Sequence, residues 1–127
     1  MELNILIVDD QAEIRQLLMA TLKGNKRILH EENNGDDAWR VAQYLRPNII
    51  ILDVMMPGAL DGYQVCERIK ADSILKLKTK VILLTARNQS ADFERGKAAG
   101  CDAFLTKPFS PIELLDAVSK LSPKFAY

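Results

Sequence analysis

Asp9-Asp10, Asp53, Thr85 and Lys107 each close a short, mostly apolar run: Leu3 to Val8, Ile49 to Leu52, Val81 to Leu84 and Ala103 to Thr106. Brought together, three carboxylates, a hydroxyl and an amine have a definite chemistry. Two like charges about 4 Å apart repel by about 4 kcal/mol at an effective dielectric of 20. The carboxylates therefore need a counter-charge. Mg²⁺ is a hard cation that prefers carboxylate oxygens and water, and it resolves the conflict. Lys107 would neutralise part of the remainder. A carboxylate beside Mg²⁺, with an amine and a hydroxyl at hand, is suited to receive a phosphoryl group. The carboxylate is the nucleophile, and metal and amine balance the charge on the phosphoryl oxygens.

Each residue alone has a plainer reading. An Asp at a strand end caps a turn or a helix, a Lys before Pro is solvated, and a Thr is a β-former. The signal is their recurrence at four strand ends, and that depends on the elements that carry them. Leu3 to Val8 reads as a strand. Ala12 to Lys23 has Ile14, Leu17, Leu18 and Leu22 at helical spacing, with Gly24 as a stop. Arg27 to Glu32 is a second, charge-bearing strand. Asp36 to Leu45 is a helix barred from continuing by Pro47. Asn48 to Asp53 is a strand, Asp61 to Ala71 a helix, Thr79 to Leu84 a strand and Ser90 to Ala99 a helix ended by Gly100. Asp102 to Thr106 is a short fifth strand. Ser110-Pro111-Ile112-Glu113 opens the last helix with a capping box and Pro at its first position.

Strands alternating with helices imply a flavodoxin-like, doubly wound α/β fold with a five-stranded parallel sheet and five helices. Strands one, three and four are continuously apolar, as strands buried on both faces are. Strands two and five carry charge and should be the edges. Right-handed crossovers then favour the order 2-1-3-4-5, with the switch point between strands one and three. Ligands in such sheets bind at the carboxyl ends of the strands beside that point, which is where the acidic residues fall.

Composition sets the outer limits. The chain has 127 residues, 48% hydrophobic and 27% charged, the profile of one globular domain. Lys plus Arg is 17 and Asp plus Glu is 17, so the formal charge is 17 − 17 = 0. That balance argues against a nucleic-acid surface. No apolar run approaches the ~20 residues that span a bilayer, and no signal-peptide pattern precedes Leu3. Cys66 and Cys101 lack metal or redox spacing and read as packing residues. A cytoplasmic location is expected.

These residues resemble the receiver domains of two-component response regulators. The likeness runs through Ile7-Val8-Asp9-Asp10, Leu52-Asp53-Val54-Met55-Met56-Pro57 with Gly62, Leu84-Thr85-Ala86, and Gly100-Cys101-Asp102-Ala103-Phe104-Leu105-Thr106-Lys107-Pro108-Phe109. The resemblance implies that Asp53 is the phosphoacceptor, a choice that composition and spacing leave open among Asp9, Asp10 and Asp53. It implies that Asp10, Asp53 and the backbone carbonyl of Met55 bind Mg²⁺ directly and Asp9 through water. It makes Thr85 and Lys107 the contacts of the phosphoryl group, Thr85 and Phe104 the switch pair, and Lys107-Pro108 a cis peptide. The implied partners are a histidine kinase or phosphotransfer protein on the input side. On the output side they are an output domain, a target protein or a second copy, docking on the face of the fourth helix, fifth strand and fifth helix, where Phe93, Phe104 and Phe109 lie. Neither nucleic acid nor membrane is an expected direct partner. The implied domain spans residues 1–127, alone or as the first part of a longer regulator. It catalyses only its own phosphorylation and dephosphorylation and is otherwise not an enzyme.

One departure stands out: four residues, Gly58-Ala59-Leu60-Asp61, separate Pro57 from Gly62, where the family pattern has three. Other conspicuous residues have plain readings. His30 lies within strand two, Trp39 fills core beside the second helix, and Lys76, Lys78 and Lys80 form a solvated edge. Rival readings lack their marks. A haloacid-dehalogenase-like phosphatase needs Asp-x-Asp after strand one and room for a cap insertion. A flavodoxin-like cofactor binder needs a Ser/Thr- and Gly-rich loop where Asp9-Asp10-Gln11 stands. A pseudo-receiver would lack an acidic residue, the Thr or the Lys.

Overall fold

The computed structural model describes residues 2–24, 26–86 and 90–123. Five strands form one parallel sheet: β1 (Leu3–Val8), β2 (Arg27–Glu32), β3 (Ile49–Asp53), β4 (Lys80–Thr85) and β5 (Ala103–Thr106). Their order is β2-β1-β3-β4-β5, as the composition of the runs predicts. Residues of β3 are buried throughout, whereas those of β5 are all half-buried, which is the contrast between a central and an edge strand. The helices are α1 (Ala12–Leu22), α2 (Gly35–Leu45), α3 (Gly62–Ala71), α4 (Leu75–Lys78), α5 (Ser90–Ala99) and α6 (Pro111–Leu121).

Six helices replace the five expected. The extra one, α4, is a single turn, too short to show a period in the sequence. Asp72 Oδ1 accepts from the backbone N–H groups of Ile74 and Leu75 at 2.9 Å and starts it. The helices predicted as fourth and fifth are therefore α5 and α6. The capping box of α6 is formed as its sequence implies, with Ser110 accepting from Glu113 N–H and Pro111 in the first turn.

Side chains alternate across the pleat and build two cores. Leu6, Val8, Ile50, Leu52, Val81 and Leu83 pack with α2 and α3 on one face. Ile5, Ile7, Ile49, Ile51, Ile82 and Leu84 pack with α1 and α6 on the other. Covering both faces leaves the strand ends as the open rim. Among the described residues, no helix is long and apolar enough to cross a membrane.

Two close approaches shape that rim. A Cβ on Gly62 would collide with the Asp53 carbonyl oxygen and stand 2.8 Å from Val54 Cα, so α3 starts hard against the end of β3. A Cβ on Gly35 would collide with the Leu60 carbonyl, so the lengthened loop lies against the start of α2. Leu60 itself is buried in the α2–α3 core. The extra loop residue is thus packed down rather than projected outward. Lys107-Pro108 is cis, as the resemblance implies.

Replacing Gly62 with Ala inserts a methyl group where backbone stands. Gly62→Ala should lower stability by about 1–3 kcal/mol, the usual cost of overpacking, read as a lower urea midpoint. An unchanged midpoint would contradict the close approach.

Candidate functional site

The parallel register brings the predicted residues to one end of the sheet. Asp9 and Asp10 follow β1, Asp53 ends β3 and Thr85 ends β4. Thr85 pairs with Thr106 on β5, and Lys107 follows, its N–H donating to the Thr85 carbonyl at 2.6 Å. Carboxylate oxygens of Asp9, Asp10 and Asp53 all lie within 4.8 Å of one another. Among the described residues, this is the one group of three or more acidic, thiol or imidazole side chains so spaced.

Asp9 is fully buried, and its carboxylate is hydrogen-bonded on both oxygens. Oδ1 accepts from Gln11 N–H at 2.9 Å, and Oδ2 accepts from Lys107 Nζ at 2.8 Å. Asp53 is nearly as buried but less well served: Met55 N–H reaches Oδ1 at 3.3 Å, and Lys107 Nζ stands 3.5 Å away. The single amine therefore sits closer to Asp9. The consequence appears in the acidity of Asp53. Burial first, and the Asp9 charge second, push its pKa up to about 6, against the opposing pull of Lys107. Asp10 is exposed at the mouth.

The donors are all carboxylate oxygens, which suits a hard divalent cation such as Mg²⁺ rather than a thiolate- or imidazole-seeking metal. Thr85 is buried at the end of the neighbouring strand. Phe104 is half-buried within β5, its ring 4.8 Å from that of Phe93 on α5. Phe109 packs with the core on the α1–α6 face.

The remaining conspicuous residues stay apart from the rim. His30 is paired across the sheet with Leu6, and its Nε2 lies 3.2 Å from Asn4 Oδ1. Trp39 packs against the α2–α3 core beneath the Arg68 guanidinium, 5.9 Å away. Lys76, Lys78 and Lys80 are exposed before and at the start of β4, the end opposite Thr85. Burial pushes the Cys66 thiol up to about 12, which leaves it inert. One residue at the site escapes the sequence reading. Arg15 donates from Nη1 to the Asp9 carbonyl at 2.7 Å. It sits among the apolar residues of α1, six positions from Asp9, where no motif marks it.

A raised Asp53 pKa means that the folded chain holds this proton more tightly than the unfolded chain does. Metal-free stability should then fall as pH rises from the ordinary value of 3.8 through about 6. Asp53→Asn removes that loss. In EDTA at pH 8 the variant should be more stable than wild type by about 2–3 kcal/mol, and the difference should close below about pH 4. Equal urea midpoints at both pH values would contradict the electrostatics of the site.

Comparison with known proteins agrees with this geometry. The profile of the response regulator receiver domain family matches residues 5–119. Protein PilG of Pseudomonas aeruginosa is 39% identical over 123 residues, which cover 97% of this chain and 90% of PilG. Transcriptional regulatory protein ResD of Bacillus subtilis is 42% identical over 94% of this chain but only 48% of its own length. The chain thus spans about half of ResD and nearly all of PilG. A putative response regulator from Chloroflexus aurantiacus superposes with a TM-score of 0.88 at 30% identity, covering 95% of this chain and 98% of that one. The receiver domain of sensor histidine kinase PA1611 from Pseudomonas aeruginosa superposes with a TM-score of 0.85 at 28% identity, covering 95% and 98%, and carries a magnesium ion in its active site cleft. The acidic rim, the strand order and the matched profile agree, and the chain belongs to the family of response regulator receiver domains.

Proposed function

We propose that Asp53 is the residue of this receiver domain that accepts the phosphoryl group, taking it from a phosphohistidine of a histidine kinase or phosphotransfer protein. The observation that carries this reading is the unequal sharing of Lys107. Lys107 Nζ binds Asp9 Oδ2 at 2.8 Å and stands 3.5 Å from Asp53 Oδ1, which also accepts Met55 N–H at 3.3 Å. Asp53 is thus the buried carboxylate that the amine can reach without already being bound to it.

In the transfer, a carboxylate oxygen of Asp53 bonds to phosphorus as the phosphorus–nitrogen bond of the donor breaks. The electron pair goes to the imidazole of the donor, which takes up a proton. Asp53 acts in its ionised form, which prevails above about pH 6. Lys107 is one small movement from Asp53 and can meet the new phosphoryl oxygens as it loosens from Asp9. Asp9, Asp10, Asp53 and the Met55 carbonyl would hold Mg²⁺, Asp9 through water. The ion supplies positive charge against the phosphoryl oxygens. Until that movement, Asp9 holds Lys107 at the site.

The Thr85 hydroxyl is the group on β4 that can turn to a phosphoryl group on Asp53. Its movement would free space for Phe104, whose ring now packs on Phe93. Phe104 has no hydroxyl, so packing alone sets its preference. The output face is then α5, β5 and α6, and phosphorylation shifts an existing equilibrium there. Its reader is an output domain, a target protein or a second copy. Residues 1–127 form one domain that acts in the cytoplasm, alone like PilG in length or within a chain of ResD's length. It has no metabolic substrate and catalyses only its own phosphorylation and hydrolysis.

Acetyl phosphate with Mg²⁺ should label wild type at Asp53 and leave Asp53→Asn unlabelled, as read by intact mass. Full labelling of the variant would refute the assignment. Thr85→Ala should still accept the group yet fail to shift the amide resonances of residues 93–115 when beryllofluoride is added. Identical shifts in wild type and Thr85→Ala would remove Thr85 from the relay.

A further inference from the structure

We propose that Arg15 is a positioning residue for the acidic site: by holding the Asp9 carbonyl and the Glu31 carboxylate at once, it fixes the Asp9–Asp10 peptide and hence the aim of Asp10. The inference rests on the metal-assisted reading above. It concerns how this chain presents its exposed carboxylate.

Every polar group of Asp9 is engaged. Its N–H donates to the Glu32 carbonyl at 3.3 Å, and its two carboxylate oxygens take Gln11 N–H and Lys107. The remaining group, the carbonyl, accepts from Arg15 Nη1 at 2.7 Å, while Arg15 Nε donates to Glu31 Oε1 at 2.9 Å. One planar guanidinium therefore ties three elements together: α1, which carries it, the end of β1, and the edge strand β2. The carbonyl it holds belongs to the peptide that links Asp9 to Asp10. Rotation of that peptide would swing Asp10, the one carboxylate of the three that is exposed and has no buried seat.

The surroundings leave this task to Arg15. Gln11, at the cap position of α1, makes no side-chain cap bond, and its N–H donates to the Asp9 side chain, so neither fixes the Asp9 carbonyl that Arg15 holds. Charge is not the means. Burial first, then Asp9, Lys107, Met55 and Asp10, set the acidity of Asp53, and Arg15 is not among the causes. Fold stability is not the main return either. Glu31 is half exposed, and an ion pair so placed contributes about 0–1 kcal/mol. What Arg15 adds is direction, through two donors in fixed relation on one plane. Lysine keeps the charge but has no such fork.

The test is Mg²⁺ binding by calorimetry at a temperature where every variant is fully folded by circular dichroism. Arg15→Lys and Arg15→Met should both weaken Mg²⁺ binding about tenfold, the usual effect of losing a group that orients a ligand. In EDTA, the amide resonances of Asp10 and Gln11 should shift in both variants, a readout that needs no metal. Glu31→Gln keeps an acceptor for Nε and should retain most of the wild-type affinity. Wild-type affinity in Arg15→Lys, or Asp10 and Gln11 amides that stay in place, would overturn the role of Arg15. Wild type that binds no Mg²⁺ would overturn the reading on which it rests.

Discussion

Among the described residues, three carboxylates share one rim with one nearby amine, and the chemistry of the site depends on how that imbalance is distributed. Asp9, though fully buried, takes the amine at 2.8 Å and a backbone N–H as well, so the buried carboxylate is paired. Asp53 receives less and holds its proton up to about pH 6. The same burial that raises its pKa keeps water from the carboxylate proposed above to become covalently modified. The site is therefore strained electrostatically when empty, and a cation or a change in charge at the rim acts on it directly. The fold supplies the means. Parallel strands deliver their carboxyl ends to one side, and helices cover both faces of the sheet.

Rigid packing beneath the rim holds the arrangement. Gly62 lets α3 begin against the Asp53 carbonyl, and the Val54 carbonyl accepts from Gly62 N–H at 3.2 Å. Leu60 anchors the loop after Asp53 into the α2–α3 core. On the other side, Arg15 and Gln11 N–H hold the Asp9–Asp10 segment.

Much of this was legible in the sequence, because strand burial leaves a direct trace in composition. The unbroken run Ile49 to Leu52 marks a central strand, and charges in Arg27 to Glu32 mark an edge. Stops at Asp9, Asp53, Thr85 and Lys107 gave the rim. The less legible features depend on distance rather than on pattern. The one-turn α4 follows from an Asp72 side chain folding back on the next two N–H groups. The role of Leu60 follows from a contact with α2, so an extra residue could be counted in the sequence but not located. Lys107's preference for Asp9 and the bond from Arg15 to the Asp9 carbonyl need coordinates, since each joins residues through space by a choice among near-equal partners.

The measurement that bears most directly on this account is the stabilisation of wild type by Mg²⁺ at two pH values. Crowded carboxylates relieved by a cation should make Mg²⁺ raise the urea midpoint strongly at pH 8. At pH 5, where Asp53 is largely protonated, the ion must displace that proton and should raise the midpoint much less. Equal stabilisation at the two pH values, or none at pH 8, would contradict it.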